Sequence, residues 1–424
     1  MRIAITGLGS RGDVQPTVVL AAELARRGHE VSVALPDDLV DFGARLGLTA
    51  VRTGIRAKDF LESEEGRRLL ADGRSGKYVK GLLAYKLEVA DAPQAVLTGM
   101  AEDADVLVSG LLTEDEVACL AEARGIPLVC LHQAPRRVND AFPSVFVPQR
   151  RYPRVVNRLT HTLAVRAEWR LTAGYVNRFR AKLGLPPTRE PTPVRLARAG
   201  VPELQAYSRH MVPELADWGP RRPLVGYLGL SAEQRRLLGE DAVDPELEEW
   251  LAAGDPPAFF GFGSMPVQDV PGTLAVIERV GRALGVRALV GAGWSAFDVG
   301  AGGVDPDRVR VVGAFDHDAV LPRCRFAVHH GGAGTTAASV GAGLPTVVCS
   351  VAFDQPFWGR QVERLGVGRT LVFTDLDERT LTRAAAAVLG SEVRRRARRL
   401  AALLRAEDAV GQAADLVEKA AAGR

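Results

Sequence analysis

Short apolar runs alternate with longer amphipathic stretches along the chain, and their order predicts the architecture. In the first half, Arg2–Thr6 (RIAIT) reads as a β-strand ending in glycines, and a helical pattern follows from about Pro16 to Arg27. Glu30–Leu35 (EVSVAL), Leu48–Arg52, Asp105–Ser109 (DVLVS) and Ile126–His132 (IPLVCLH) read as the next strands. Near-continuous β-branched runs separated by amphipathic stretches mean βαβ units and a parallel sheet covered on both faces. The second half repeats the pattern at Ala258–Phe262, Arg287–Val290, Val309–Val312, Phe326–His329 and Thr346–Cys349, and the first four of these run into glycine. Ligands of open α/β sheets bind outside the carboxyl ends of the strands, where glycine lets a ligand approach the backbone. The second half is therefore the better candidate for a nucleotide-binding domain.

Pro213–Pro223 (PELADWGPRRP) is rich in turn formers and is expected to link the halves. The organisation expected is an N-terminal domain over 1–212, a linker over 213–223, a C-terminal domain over 224–404, and a terminal helix over 405–424 that packs back on the N-terminal domain. The region Arg150–Leu183 is helical and carries Arg150, Arg151, Arg154, Arg158, Arg166, Arg170, Arg178 and Arg180. Such a segment either lies on a membrane surface or presents a solvated face. The solvated face is the simpler reading, with Trp169, Tyr175 and Phe179 as core or cleft wall.

Composition narrows the classes. A chain of 424 residues, 47% hydrophobic and 25% charged, is globular, and two domains are the natural division. Its 54 basic residues against 51 acidic give a net charge of only +3, which argues against a general nucleic-acid binder. Cys119, Cys130, Cys324 and Cys349 are isolated and read as core residues in a reducing compartment. The N-terminal MRIAITGLGSRGD lacks the basic start and apolar region of a secretory signal, and no run of 18 apolar residues exists. A cytoplasmic protein without a transmembrane segment is expected, monomer or homodimer, with peripheral membrane contact left open. The unusual number is glycine, 44 of 424.

Gly7, Gly9 and Gly12 form GxGxxG after the first strand, and Asp37 ends the second, as in a dinucleotide fingerprint. Arg11 and Asp13 stand against that reading, because a carboxylate in the turn repels a pyrophosphate at the helix N-terminus. The richer constellation is His329-His330-Gly331-Gly332-Ala333-Gly334-Thr335-Thr336, which follows a buried strand and opens a helix. Backbone N–H groups at a helix start form an anion site. His330 can donate to a phosphate, Thr335 and Thr336 can cap or donate, and the small residues at 331–334 keep the approach open.

HHGGAGTT, followed by GxGxP at Gly341–Pro345 and by Asp354-Gln355-Pro356, resembles the donor-binding signature of the nucleotide-sugar glycosyltransferases of the GT-B fold, family 1. His330 and Asp354 stand 24 apart, the spacing of the plant signature. Gly9–Pro16 (GSRGDVQP), Phe260–Pro266 (FGFGSMP) and Val351–Gly368 sharpen the resemblance towards sterol glucosyltransferases and the actinobacterial glycosyltransferases of antibiotic biosynthesis. It covers both domains.

The resemblance implies an α/β fold of two Rossmann-like parallel-sheet domains facing across a cleft, the C-terminal one holding the sugar nucleotide. His330 and Thr335, with Gly332 and Gly334, would line the diphosphate. Ser264 would bond a phosphate oxygen, Asp354 and Gln355 the sugar hydroxyls, and Trp294 or Phe315 would stack on the base. Ser10 is placed with the donor-binding residues. Ala338 stands where plant relatives carry the ribose-binding glutamate, so the ribose contact is unassigned. The catalytic base implied is Asp13, with Arg11 orienting it or reaching a phosphate; a plain helix cap is the alternative for Asp13. His132, His161 and His210 have nothing nearby in sequence to specify a role.

The DxD pairs Asp103/Asp105, Asp305/Asp307, Asp316/Asp318 and Asp375/Asp377 are expected to be surface turns. No metal and no cofactor are expected beyond the donor as co-substrate. The activity implied is inverting transfer of a hexose from a UDP- or dTDP-sugar to a hydroxyl of a lipophilic acceptor such as a natural product, macrolide, polyketide, terpenoid or sterol. A nucleotide-sugar epimerase of the same fold and a non-catalytic sugar-nucleotide-binding protein are the alternatives.

Overall fold

The β-branched runs of each half pair into a six-stranded, all-parallel sheet. The computed structural model describes residues 1–71, 75–261, 263, 269–293, 303–313 and 315–423. They fall into two compact units, one of Met1–Leu230 with Asp408–Arg424, the other of Ser231–Glu407. The first unit contains β1 (Arg2–Thr6), β2 (Glu30–Leu35), β3 (Thr49–Arg52), β4 (Val106–Gly110), β5 (Leu128–His132) and β6 (Glu203–Gln205), in the order β3-β2-β1-β4-β5-β6. The second contains β7 (Ala258–Gly261), β8 (Ala288–Gly291), β9 (Val309–Val312), β10 (Phe326–His329), β11 (Thr346–Ser350) and β12 (Gly368–Val372), in the order β12-β11-β10-β7-β8-β9. Both are doubly wound orders, reversing beside the first strand of the sheet. The registers centre on Ile3, paired with Val31 and Val106, and on Ala327, paired with Phe259 and Thr346.

In the second unit, Phe260, Phe326, Val328 and Val347 pack against Leu274 and Ile277 of the helix Val270–Leu284 and against Leu381. Phe259, Leu289 and Ala327, from β7, β8 and β10, meet Leu247, Phe315 and Leu344 in another cluster. In the first unit, Leu107, Leu128 and Cys130 are covered by Val117 and Leu120 of the helix Glu114–Arg124 and by Tyr175, Val176 and Phe179. All four cysteines are buried free thiols.

Three features differ from the sequence reading. The first helix runs Arg11–Arg26, starting ahead of Pro16, because Ser10 and Asp13 close its first turn. β6 and β12 were not anticipated: β6 is Glu-Leu-Gln, and its polar side chains are buried by partners distant in sequence. The stretch 213–223 belongs within the first unit, where Arg221 and Pro223 carbonyls accept from the amides of Glu203 and Gln205, and the units divide after Leu230. The helix Ala409–Ala422 is fastened in the first unit, Arg27 Nη1 lying 2.6 Å from Asp415 and 2.8 Å from Glu418, and His29 Nε2 2.8 Å from Glu418.

β5 and β6 are joined by a buried ion network. Arg137 donates to Glu114 at 2.6 Å and to Glu203 at 2.8 Å, Arg222 donates to Glu203 at 2.7 Å, and His132 Nε2 lies 2.8 Å from Glu114. Burial opposes ionisation of Glu114, but the Arg137 charge and the His132 contact outweigh it and hold its pKa at about 2. Arg137→Ala leaves the buried Glu114 carboxylate without its guanidinium and removes one of the two that hold Glu203, so it should cost about 3–5 kcal/mol, read by thermal unfolding. The depressed Glu114 contributes stability that is complete above its ordinary value of 4.5 and lost as pH falls towards about 2, so acid titration of unfolding should show a loss in that window that Glu114→Gln abolishes.

Candidate active site

In the second unit the strand order reverses between β7 and β10, so the loops leaving their carboxyl ends diverge and open a crevice. His330 stands at that point, its amide donating to the Gly261 carbonyl at the end of β7 (3.3 Å). The imidazole is buried between two glycines: a Cβ on Gly263 would lie 2.5 Å from its Cε1, and one on Gly332 would lie 2.6 Å from its Nε2. Gly263 also has φ +58, a conformation unfavourable to side chains. His330 Nδ1 is buried with no hydrogen-bond partner among the described residues. Burial, partly offset by the Gly261 carbonyl, pushes the His330 pKa down to about 4, so at neutral pH the ring is an uncharged donor. His329 is a core residue: its Nδ1 accepts from Gly331 at 3.0 Å, and burial beside His330 lowers its pKa to about 3.

Gly332 is the N-cap of the helix Ala333–Gly341. Gly334 and Thr335 are half-buried in its first turn. Thr336, in contrast, is buried and donates to the Gly332 carbonyl at 2.9 Å, so its hydroxyl serves the helix. Ala338 packs against the Phe259 and Phe315 cluster.

Asp354 is the N-cap of the helix Gln355–Arg364 and accepts from Trp358 Nε1 at 2.7 Å. Gln355 Oε1 accepts from the amides of Val351 (2.8 Å) and Ala352 (3.2 Å). Between them and β11 lies Phe353, in the left-handed region at φ 59. A bulky residue there is strained, as segments held for function often are.

Phe315 corrects the expectation of an open stacking platform. It is buried, with its ring 5.7 Å from Phe259 and stacked on His317 at 4.4 Å. His317, which the sequence reading passed over, is the exposed ring of that pair. Ser264 and Trp294 lie outside the described residues.

In the first unit the equivalent reversal lies between β1 and β4. The β1 loop turns at Gly9, whose φ of +113 and absent Cβ admit the Asp13 carboxylate; a Cβ would lie 2.5 Å from Oδ2. Asp13 Oδ2 accepts from the Ser10 amide (2.9 Å) and hydroxyl (3.0 Å), so Asp13 does cap the helix, and Ser10 is its partner. Arg11 lies over the Phe42 ring at 4.8 Å, and its Nε donates to Gln15. Gln133 Nε2 reaches the Asp13 carbonyl at 3.4 Å.

The remaining histidines are placed as follows. His132 belongs to the Arg137 network, and its neighbours Glu114 and Cys130 present a metal-like grouping. The Arg137 guanidinium, 2.6 Å from Glu114 and 3.4 Å from His132 Nε2, already supplies the cation there. His161 is buried in the long helix Arg154–Lys182, and the His210 amide donates to Ser208 Oγ. The contacts of His132 with Glu114 and of His161 with Asn139 span 18 and 22 residues, so neither leaves a local sequence signal.

Two family models match: the glycosyltransferase family 28 N-terminal domain over residues 3–70, and the erythromycin biosynthesis protein CIII-like C-terminal domain over residues 300–418. An uncharacterized glycosyltransferase of Mycobacterium tuberculosis is 38% identical over 99% of both chains. A sterol 3-beta-glucosyltransferase of Arabidopsis thaliana is 30% identical over 98% of this chain and 67% of its own length. The chain belongs to the glycosyltransferases. Its fold is GT-B: the calicheamicin glycosyltransferase superposes with a TM-score of 0.71 over 100% of this chain and 98% of the other at 18% identity. A glycosyltransferase crystallised with dTDP gives 0.68 over 99% of both at 20% identity. No described helix of this glycosyltransferase is long and apolar enough to cross a membrane.

The glycine collar around His330 sets a testable constraint. Gly263→Ala places a Cβ in the imidazole and strains the backbone, so it should cost about 1–3 kcal/mol in thermal unfolding, whereas Gly303→Ala, whose Cβ meets nothing within 4 Å, should cost less.

Proposed function

We propose that this glycosyltransferase is an inverting, metal-independent hexosyltransferase that moves a hexose from a UDP- or dTDP-sugar to a hydroxyl of a lipophilic small molecule of natural-product, macrolide, polyketide, terpenoid or sterol type. The observation that carries the reading is His330: a buried, neutral imidazole whose Nδ1 has no hydrogen-bond partner among the described residues, set between glycines at the strand-order reversal and beside a helix N-terminus. A hydrogen-bond donor and a helix start at one locus suit a diphosphate.

In this reading His330, Thr335 and the amides from Gly332 to Gly334 hold the diphosphate, Ser264 adds a donor, and Asp354 with Gln355 bind the sugar hydroxyls. His317, the exposed ring backed by Phe315, supplies a flat surface for the base, alongside Trp294. Asp13, oriented by Ser10, takes the proton of the acceptor hydroxyl as its oxygen attacks the anomeric carbon. The bond to the diphosphate breaks on the opposite face, and the charge that develops on the leaving oxygen meets the donors of the second unit. Arg11 is a positioning residue beside Asp13. The dTDP complex of a neighbour of the same fold favours a nucleoside-diphosphate donor, and the sterol-glucosylating relative favours a lipophilic acceptor.

His330→Ala should weaken binding of free nucleoside diphosphate by about 1–3 kcal/mol in calorimetry. Unchanged affinity would make His330 a packing residue. Asp13→Asn keeps the cap and removes the proton acceptor, so the transfer rate should fall about 10²–10⁴-fold with nucleotide affinity and melting temperature unchanged. Run in excess chelator, the same assay should give the full wild-type rate. Conversion of the donor with no acceptor present would point to an epimerase instead.

A further inference from the structure

The N-terminal half of the helix Arg154–Lys182 is built inside out. Its fully buried residues, Asn157 and His161, are polar. Asn157 donates to the Asp140 carbonyl at 3.0 Å, Thr160 accepts from the Ser144 amide at 2.9 Å, and His161 Nε2 lies 3.0 Å from both Asn139 Nδ2 and the Phe142 carbonyl. Its apolar residues face water: Val155 is 79% exposed, Leu159 52%, Leu163 53% and Leu171 50%. With the exposed Ala167, these recur every fourth residue and form one ladder over successive turns. An ordinary amphipathic helix buries its apolar stripe and solvates its polar one. The C-terminal half does so, burying Tyr175, Val176 and Phe179.

The surroundings of the ladder are basic. Between Asp140 and Glu168 the chain has no carboxylate and carries Arg150, Arg151, Arg154, Arg158 and Arg166. The two flanking acids are occupied, Asp140 by Arg154 (2.8 Å) and Glu168 by Arg136 (3.6 Å). Burial lowers the pKa of His161, so it adds no charge. Phe146, 42% exposed, lies under the Arg136 guanidinium at 4.6 Å, on the inward side of the helix with His161 and Val165.

We propose that this surface seats the glycosyltransferase on an anionic lipid bilayer. The helix lies in the interface plane, Val155, Leu159 and Leu163 entering the acyl boundary while the arginines reach the headgroup phosphates. Exposed apolar side chains interleaved with an excess of positive charge match that boundary in both chemistry and sign. The inference goes beyond the transfer reading and needs neither donor nor acceptor, so its test is binding alone.

The full-length protein is sedimented with vesicles of phosphatidylcholine, pure or one third phosphatidylglycerol. Binding is expected only to the anionic vesicles, falling steeply with salt. L159Q/L163Q and R151Q/R158Q/R166Q should each lower the partition coefficient about tenfold or more. R151K/R158K/R166K should retain it, as should R398Q/R399Q on the other arginine-rich helix, Ser391–Arg405. A readout that does not depend on losing a side chain is L163W, whose indole emission should shift to the blue on anionic vesicles. Absence of wild-type binding to anionic vesicles, undiminished binding by L159Q/L163Q, loss in R398Q/R399Q, or an unmoved L163W spectrum would each overturn the proposal.

Discussion

In a parallel sheet every strand delivers its carboxyl end to the same edge, and that edge opens only where neighbouring strands send their connections to opposite faces. Both units have one such place, between β1 and β4 and between β7 and β10. The remaining features of the candidate site follow from it. The loop after β10 is free to turn outward, so a helix can begin there, and His330 can be anchored across to β7 through Gly261. The loop after β1 can likewise fold Asp13 back onto Ser10. A side chain at Gly9, Gly263 or Gly332 would fill the space that these groups occupy. The glycine richness of the chain is in this sense local: at these turns the backbone itself must stand close to a functional group.

The two units brace their sheets with different groups at different strands. Around β7 and β10 the support is apolar, Phe259, Phe260 and Phe326 filling both faces of the sheet. Around β5 and β6 it is ionic, with Arg137 and Arg222 clamping Glu203 and Glu114. Burying such groups costs several kcal/mol per ion, which the mutual attraction must offset. An apolar cluster fixes depth but tolerates sliding, whereas a forked guanidinium fixes direction. β6 is only three residues long. A strand that short has few ladder hydrogen bonds to set its register, and the Glu203 contacts supply what the ladder lacks.

The fold was legible because its signal is local. Strands such as Arg2–Thr6 and Phe326–His329 announce themselves as β-branched or apolar runs closed by glycine, and the glycine-histidine turn after β10 is contiguous in sequence. What escaped was non-local. β6 reads as polar, since the arginines that let Glu203 be buried come from positions 137 and 222. Phe315 sits at a strand end like a binding aromatic, yet its own ring is covered by Phe259 and His317, and only packing distinguishes the two situations. The arginine-rich helix showed its charge in sequence but not its orientation. Which of its faces looks inward is decided by Asn139, Asp140 and Ser144, residues of the preceding loop.

The proposed donor locus has a charge problem whose solution is visible in its composition. A nucleoside diphosphate brings a concentrated negative charge, yet from Phe326 to Gly359 the chain contains no lysine or arginine. His330 adds none, because burial keeps it neutral. What the segment offers is a helix N-terminus, equivalent to about half a positive charge, together with uncharged N–H and O–H donors. Such groups are fixed by the backbone and lose little on ordering, whereas a flexible lysine would have to be immobilised. In the proposed reading they would bind the diphosphate without over-neutralising it, so the leaving group would gain most from them as its charge grows when the sugar departs. A site built of dipoles around a neutral imidazole therefore stabilises the departing diphosphate more than the resting donor, and for a transferase that difference is what accelerates the reaction.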